Sequence, residues 1–175
     1  MSLQIYEFLY NQANGMMYLC VAMPTLEKIS IADFRNIAFQ ELEFSPNINC
    51  ISGNNGEGKT NLLAAIYYLS MTKSAFSSSD RYCFRYGCST FSIAGTYQMP
   101  YGLVSRFVVT SEADGGKTVK RDDKVYPRVS AHIGTLPEET GSPQDSALVS
   151  ESGEERRRFI NAVLSQMSPE YLAAV

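Results

Sequence analysis

Gly53-Asn54-Asn55-Gly56-Glu57-Gly58-Lys59-Thr60 is the stretch on which the fold of this chain turns, because it matches the pattern G-x-x-x-x-G-K-[ST]. Glycine, lacking a Cβ, takes backbone angles that aim successive N–H groups at one point. The loop and the first turn of the helix after it can then surround an anion with donors. In such a loop Lys59 places a point charge on the β and γ phosphates of a nucleotide, and the Thr60 hydroxyl is a hard oxygen ligand for Mg²⁺. A chance match in 175 residues is on the order of 1% at average residue frequencies.

The flanks lower that chance further. Ile48, Cys50 and Ile51 predict a strand over Ile48 to Ser52 leading into the loop, and the spacing of Leu62, Ile66 and Leu69 predicts a helix over Lys59 to Leu69 leaving it. Upstream, Leu26, Ile29 and Ile31 alternate loosely with Glu27, Lys28 and Ser30, while Phe39, Leu42 and Phe44 interleave with Gln40, Glu41 and Glu43. Two more strands follow from this, with Asp33-Phe34-Arg35-Asn36 turning between them and Ser45-Pro46-Asn47 turning after them.

Downstream, Ser74 to Ser79 ends the helix. Thr90 to Gln98 and Leu103 to Ser111 read as strands joined by Met99-Pro100-Tyr101-Gly102, and Asp114-Gly115-Gly116 turns into Lys117 to Arg121. The middle of the chain is thus a β-meander. Ser152-Gly153-Glu154-Glu155 is an S-x-x-E capping box opening a helix through about Gln166, and Ser168-Pro169 starts another. Residues 1–22 show no clear periodicity and are expected outside the fold. The expected organisation is an ATP-binding lobe with the meander over residues 23–150 and the start of a helical lobe over 151–175.

Composition bounds the partners. With 15 Lys+Arg against 18 Asp+Glu the chain cannot coat nucleic acid by charge alone, but the charge is unevenly placed. Residues 76–135 hold eight basic against five acidic residues, and residues 136–175 hold three against seven. Arg106, Lys117, Lys120, Arg121, Lys124 and Arg128 on the meander are therefore candidates for DNA phosphates, the alternative being a solvated strand face. Arg156-Arg157-Arg158 carries the same two readings, although successive helix positions cannot all face one backbone. Tyr67, Tyr68, Tyr82 and Tyr86 are expected in core and rim packing rather than base stacking. Cys20, Cys50, Cys83 and Cys88 form no C-x-x-C pair, and His132, the single histidine, is expected in a loop or helix start without catalytic work. Residues 1–22 contain no Lys or Arg and no apolar run long enough for export or a membrane span, so a cytoplasmic chain with reduced thiols is expected.

Hydrolysis needs an apolar strand ending in Asp or Glu, the Walker-B element, to hold the metal and position water. Phe107-Val108-Val109 runs into Thr110-Ser111-Glu112 and Leu148-Val149 into Ser150-Glu151, so neither qualifies. No catalytic residue is assigned, and the chain alone is expected to bind nucleotide without cleaving it. Without that neighbouring strand, Ile48 to Ser52 and the Leu62/Ile66 face of the helix are expected to be uncovered.

Thr25 to Ser74 resembles the head of the RecF family, in the SMC/Rad50 branch of ABC-type ATPases. The resemblance rests on D-F-R-N at Asp33 to Asn36, E-F-S-P-x-I-N at Glu43 to Asn49, the phosphate loop, and N-L-L-x-A-I-Y at Asn61 to Tyr67. A second block, Ser142-Pro143-Gln144-Asp145, then Ala147-Leu148-Val149, then Glu154-Glu155-Arg156-Arg157-Arg158-Phe159, resembles a later family segment at similar spacing, so the likeness covers about residues 23–175. It implies an α/β P-loop NTPase fold of the ABC-head type, incomplete here: a meander, a phosphate-loop helix and the start of a helical lobe. It further implies ATP and Mg²⁺ at Gly53 to Thr60, with Arg35 and Asn36 near the nucleotide. The implied activity is slow DNA-dependent ATP hydrolysis by an ATP-dependent homodimer. That dimer would bind single- and double-stranded DNA at gaps and help recombination mediators load a recombinase, in DNA replication, repair and the SOS response. The chain departs from the family where Glu138-Glu139-Thr140-Gly141 replaces an apolar strand, where Phe76 is followed by Ser77 instead of arginine, and where it stops at Val175, as a truncated head would. A head of another SMC-like or phage-exclusion-type ATPase is a competing identity, against which the E-E-R-R-R-F block weighs. A catalytically inactive nucleotide- or DNA-binding fragment is another.

Overall fold

Period-two alternation builds one sheet with one buried face. In a computed structural model that describes residues 7–11, 16–20, 23–77, 79–138, 140–141 and 153–174, β3 (Thr25–Phe34) and β4 (Ile37–Glu43) form a hairpin closed by Arg35-Asn36. The meander follows as β5 (Thr90–Gln98), β6 (Val104–Glu112), β7 (Lys117–Arg121) and β8 (Lys124–Val125). Because β3 pairs antiparallel with both β4 and β5, all six make one sheet in the order β4-β3-β5-β6-β7-β8. Ahead of it, β1 (Glu7–Asn11) and β2 (Met16–Cys20) pair, among the described residues, only with each other. Their apolar residues are consecutive rather than alternating, which is why no period announced this hairpin.

Helix α1 (Lys59–Met71) lies on the buried face. Ile31, Ile93, Val109 and Val119 stand opposite one another across four strands and are fully buried or nearly so. In the next row Gly95 sits between Ile29 and Phe107. A Cβ on Gly95 would lie 2.8 Å from the Tyr97 ring and run into the Leu69 side chain, so this glycine lets the helix settle against the sheet. Phe34, Tyr68 and Phe91 meet edge to face, with centroids 5.0–6.0 Å apart.

The C-terminal half of α1 is covered on its other side by residues 129–138. His132 Nε2 donates to the Leu69 carbonyl at 2.7 Å and Ser70 Oγ donates to the Leu136 carbonyl. His132 is therefore a fully buried core residue, and burial holds its pKa below the usual histidine value. The tyrosines divide: Tyr68 is buried, Tyr67 is half-buried, and Tyr82 and Tyr86 are exposed instead of packed. Lys117 ties β7 to the end of α1. Its Nζ donates to Asp80 at 2.7 Å and to the Thr72 carbonyl at 2.6 Å and lies 5.1 Å from the Tyr68 ring centre, while Tyr68 Oη donates to the same carboxylate.

Two expectations fail around the loop. Residues Ile48 to Ser52 form no strand. Asn49 ties back to Ser45 through both its amide atoms, at 2.8 and 2.9 Å, and no described strand lies alongside to pair with the segment. Ile48 is 92% exposed, as an uncovered segment requires. Leu62, however, is buried in the core, and Ile66 packs partly buried against it, so the helix face expected to be bare is covered by the sheet.

The C-terminal helices α2 (Gly153–Met167) and α3 (Pro169–Ala174) follow, with Ser168 Oγ capping α3 by accepting the Tyr171 N–H at 3.1 Å. Ser142 to Ser152, with most of the second sequence block and the first residue of the capping box, lie outside the described residues. Gln166 of α2 replaces the strand partner missing at Glu138, accepting its N–H at 2.9 Å and donating to its carbonyl at 3.1 Å. The Glu138 carboxylate accepts from Thr140 Oγ1, while its Oε2 is buried with no partner among the described residues. Burial pushes its pKa up to about 7. Among the described residues no helix is long and apolar enough to cross a membrane.

Because the folded pKa of Glu138 lies above its unfolded value of 4.5, its contribution is complete below that value and is lost as pH rises through about 7. Glu138→Gln removes this loss, so its melting temperature should gain on the wild type between about pH 5 and about pH 8. Thermal melts across that range check it, and parallel curves would contradict it. Lys117→Met should cost about 2 kcal/mol in urea unfolding by stripping Asp80 of its cation, whereas Lys120→Met, on the open face, should change stability by no more than about 0.5 kcal/mol.

Candidate nucleotide-binding site

The loop follows the irregular segment after β4 and ends in the first turn of α1. Three of its glycines take positive φ, Gly53 at 145°, Gly56 at 87° and Gly58 at 97°, angles that side chains resist. The first intrahelical bond is Leu62 N–H to the Gly58 carbonyl at 2.9 Å, so the amides of Lys59, Thr60 and Asn61 precede it. No side chain caps that terminus and no acid sits in the first turn, which leaves the positive end of the helix for an anion. Lys59 Nζ donates to the Gly53 and Asn54 carbonyls, each at 2.6 Å, holding its charge over the loop. The Glu57 carboxylate accepts from the Asn54 N–H at 2.7 Å and from its side-chain amide at 2.8 Å. Those Asn54 donors, side chain first, together with the nearby Lys59 charge, hold the Glu57 pKa below the ordinary carboxylate value. Thr60 is exposed.

The β3–β4 turn meets the loop from the side. Arg35, at φ 53°, is held by its N–H to the Cys83 carbonyl at 2.8 Å, and its guanidinium lies 5.7 and 5.8 Å from the Phe34 and Phe76 ring centres. It donates to Asn61 Oδ1 at 3.1 Å; Asn61 Nδ2 donates to Asn36 Oδ1 at 2.7 Å; Asn36 Nδ2 donates to the Gly56 carbonyl at 3.3 Å. The residues assigned from the sequence, Gly53 to Thr60 with Arg35 and Asn36, are thus one cluster. Asn61 and Phe76 complete it and were not assigned. Asn61 stood in plain view one residue past Thr60, but there it reads as a helix residue. A groove of about 420 Å³ borders the loop between Leu42 of β4, Phe44 just past its end, Asn49 to Ser52, and Glu57 to Lys59.

The six basic candidates are not brought together. Alternation puts Arg106 and Lys120 on the open face of the sheet and Lys117 and Arg121 on the helix face, since Val109 and Val119 between them point inward. Lys117 is the clamp on Asp80, and Arg121 lies over the Phe107 ring at 5.4 Å with a bond to Ser105. Lys124 and Arg128 are exposed. At the start of α2, Arg158 pairs with Glu154 one turn away at 2.9 Å. Among the described residues no group of His, Cys, Asp and Glu is arranged to hold a metal.

The AAA domain family matches residues 28–166. The DNA replication and repair protein RecF of Phocaeicola vulgatus is 42% identical over 150 residues, 86% of this chain and 40% of its own length, and that of Bacteroides fragilis is 41% identical over the same share. The chain therefore spans about two fifths of the curated relatives it matches. A solved structure of the recombination mediator RecF with ATP superposes with a TM-score of 0.81 at 26% identity, covering 86% of this chain and 40% of that one. An SMC ATPase structure described for ATP-driven dimerisation superposes at 0.64 and 18% identity, covering 79% and 99%, a likeness of fold. The chain belongs to the AAA domain family of phosphate-loop proteins, as a RecF-like member with the sheet-and-helix lobe of an ABC-type head.

Proposed function

We propose that this chain binds ATP with Mg²⁺ at Gly53 to Thr60 and belongs to a DNA replication, repair and recombination system. The observation that carries this is the loop itself: left-handed glycines, an uncapped helix N-terminus and a lysine already folded over the cradle. Gly56 leaves open space where a Cβ would stand, so the cradle fits a phosphate chain. Lys59 and the first-turn amides would hold the phosphates, Thr60 the Mg²⁺, and Arg35 and Asn36 the side of the loop. The bound cation would neutralise phosphate charge. The ATP-bound RecF structure and the SMC structure described for ATP-driven dimerisation support a nucleotide-dependent homodimer acting on DNA.

In that setting residues 23–150 are the nucleotide lobe, 151–175 begin a helical lobe, and 1–22 stand outside. Single- and double-stranded DNA at gaps, recombination mediators and a recombinase are the proposed partners, and the cytoplasm, where bacterial DNA lies, is the proposed location. Of the basic candidates, Arg106, Lys120, Lys124 and Arg128 remain for DNA phosphates, since Lys117 and Arg121 are engaged against the core. A reading without turnover rests on the sequence, in which neither Phe107-Val108-Val109 nor Leu148-Val149 runs directly into an acid.

Lys59→Ala should abolish binding of a fluorescent Mg-ATP analogue, and unchanged affinity would remove the assignment. The chain alone should release no phosphate from ATP with or without DNA; DNA-stimulated release in a malachite-green assay would assign hydrolysis to it.

A further inference from the structure

We propose that Asn61 is a positioning residue of the nucleotide site, fixing which way Asn36 faces the phosphate loop and so where the Gly56 peptide stands. The inference rests on the phosphate-loop reading above. Its warrant is the chemistry at the two ends of the chain Arg35, Asn61, Asn36, Gly56. A guanidinium has donors and no acceptor, so Asn61 must turn its oxygen to Arg35, as it does at 3.1 Å. Its nitrogen is then committed to Asn36 Oδ1 at 2.7 Å, which leaves Asn36 only its own nitrogen for the loop. At the far end stands a carbonyl, which can only accept, and Asn36 Nδ2 reaches it at 3.3 Å. Neither amide can flip without setting like groups face to face.

The input to this relay is rigid. The Arg35 guanidinium lies over the rings of Phe34 and Phe76, its backbone is pinned to Cys83, and a second guanidinium nitrogen reaches Ser74 Oγ at 3.5 Å. The output is specific to one side of the loop. Lys59 and Glu57 tie down Gly53 and Asn54, whereas Asn36 is the tie at Gly56 and also packs against Gly58, where a Cβ would come within 3.1 Å of its Oδ1. Lengthening or reversing the relay therefore moves the half of the loop that Lys59 does not hold.

Asn61→Asp is the decisive variant because it keeps the size and the acceptor for Arg35 while removing the donor for Asn36. Asn36 must then turn its nitrogen to the new carboxylate and its oxygen to the Gly56 carbonyl. Affinity for a fluorescent Mg-ATP analogue should fall about tenfold, the equivalent of one hydrogen bond, with the melting temperature within about 2 °C of wild type. Asn36→Ala should weaken binding similarly, and the double variant should be no weaker than Asn36→Ala alone, because Asn61 acts through Asn36. Affinity of Asn61→Asp within about twofold of wild type, additive losses in the double variant, or a melting temperature lowered by more than about 5 °C would each overturn the proposal. A wild-type chain that does not bind the analogue overturns the phosphate-loop reading and this one with it; a binding wild type with an indifferent Asn61→Asp overturns this one alone.

Discussion

The contact between α1 and the sheet at Gly95 is the constraint on which the rest depends. A phosphate loop is a bend of backbone with few bonds of its own, so its shape is borrowed from what fixes its two ends. Here the far end is α1, and α1 is fixed because Leu69 passes over a position with no side chain, between Ile29 and Phe107. Overfilling a packed site typically costs about 1–3 kcal/mol, and at this point the misfit would be transmitted along a rigid helix to Lys59. His132 and Ser70 close the opposite side, each donating a hydrogen bond to a carbonyl across the contact between α1 and the segment over it. The helix is therefore located from both faces, with its N-terminus left open.

The same packing explains why the β3–β4 turn serves the site. Phe34, the last residue of β3, is fully buried against Tyr68 and Phe91, so the next residue emerges beside α1 with little freedom. Asp33 and Arg35 both take left-handed angles, φ 55° and 53°, which side chains adopt at a cost of about 1 kcal/mol or more each. Cys83 and Arg85 offset that cost by pairing with the backbone of the turn, Arg35 N–H to Cys83 and Arg85 N–H to Asp33. Strain held by neighbours on both sides gives a stiff turn, and a stiff turn can hold a soft loop.

How much of this was legible follows from which signals are local. The meander strands, the helix and the turn between Phe34 and Ile37 obey periods of 2 and 3.6 residues and lie within a residue or two of the expected bounds. The loop was legible because glycine spacing and a Lys-Thr pair carry their own chemistry. Ile48 to Ser52 misled because apolar residues predict a strand only if another strand comes alongside, and pairing is not a local property. Lys117 was misplaced for a related reason: a lysine in a basic run looks solvent-bound until the fold supplies Asp80 and the Thr72 carbonyl as partners. Asn61 carries no sign of its role because that role consists of two partners 25 and 26 residues away.

The distribution of basic residues shows how topology overrides a count. Six cations within a short stretch suggest one surface, but a strand sends neighbours to opposite faces, and the register of β6 with β7 then decides which of them meet. Lys120 stands opposite Val108 on the open face, while Lys117 and Arg121 turn inward, where each finds an aromatic ring and a hydrogen-bond acceptor. An ammonium desolvated against Asp80 and the end of α1 is held there by hydrogen bonds that a phosphate would have to replace. A basic stretch on a strand is thus at most half a surface. The charges that can meet a polyanion are those that the pleat leaves outside, and here Arg106 and Lys120 lie on the face opposite the cations that secure the helix.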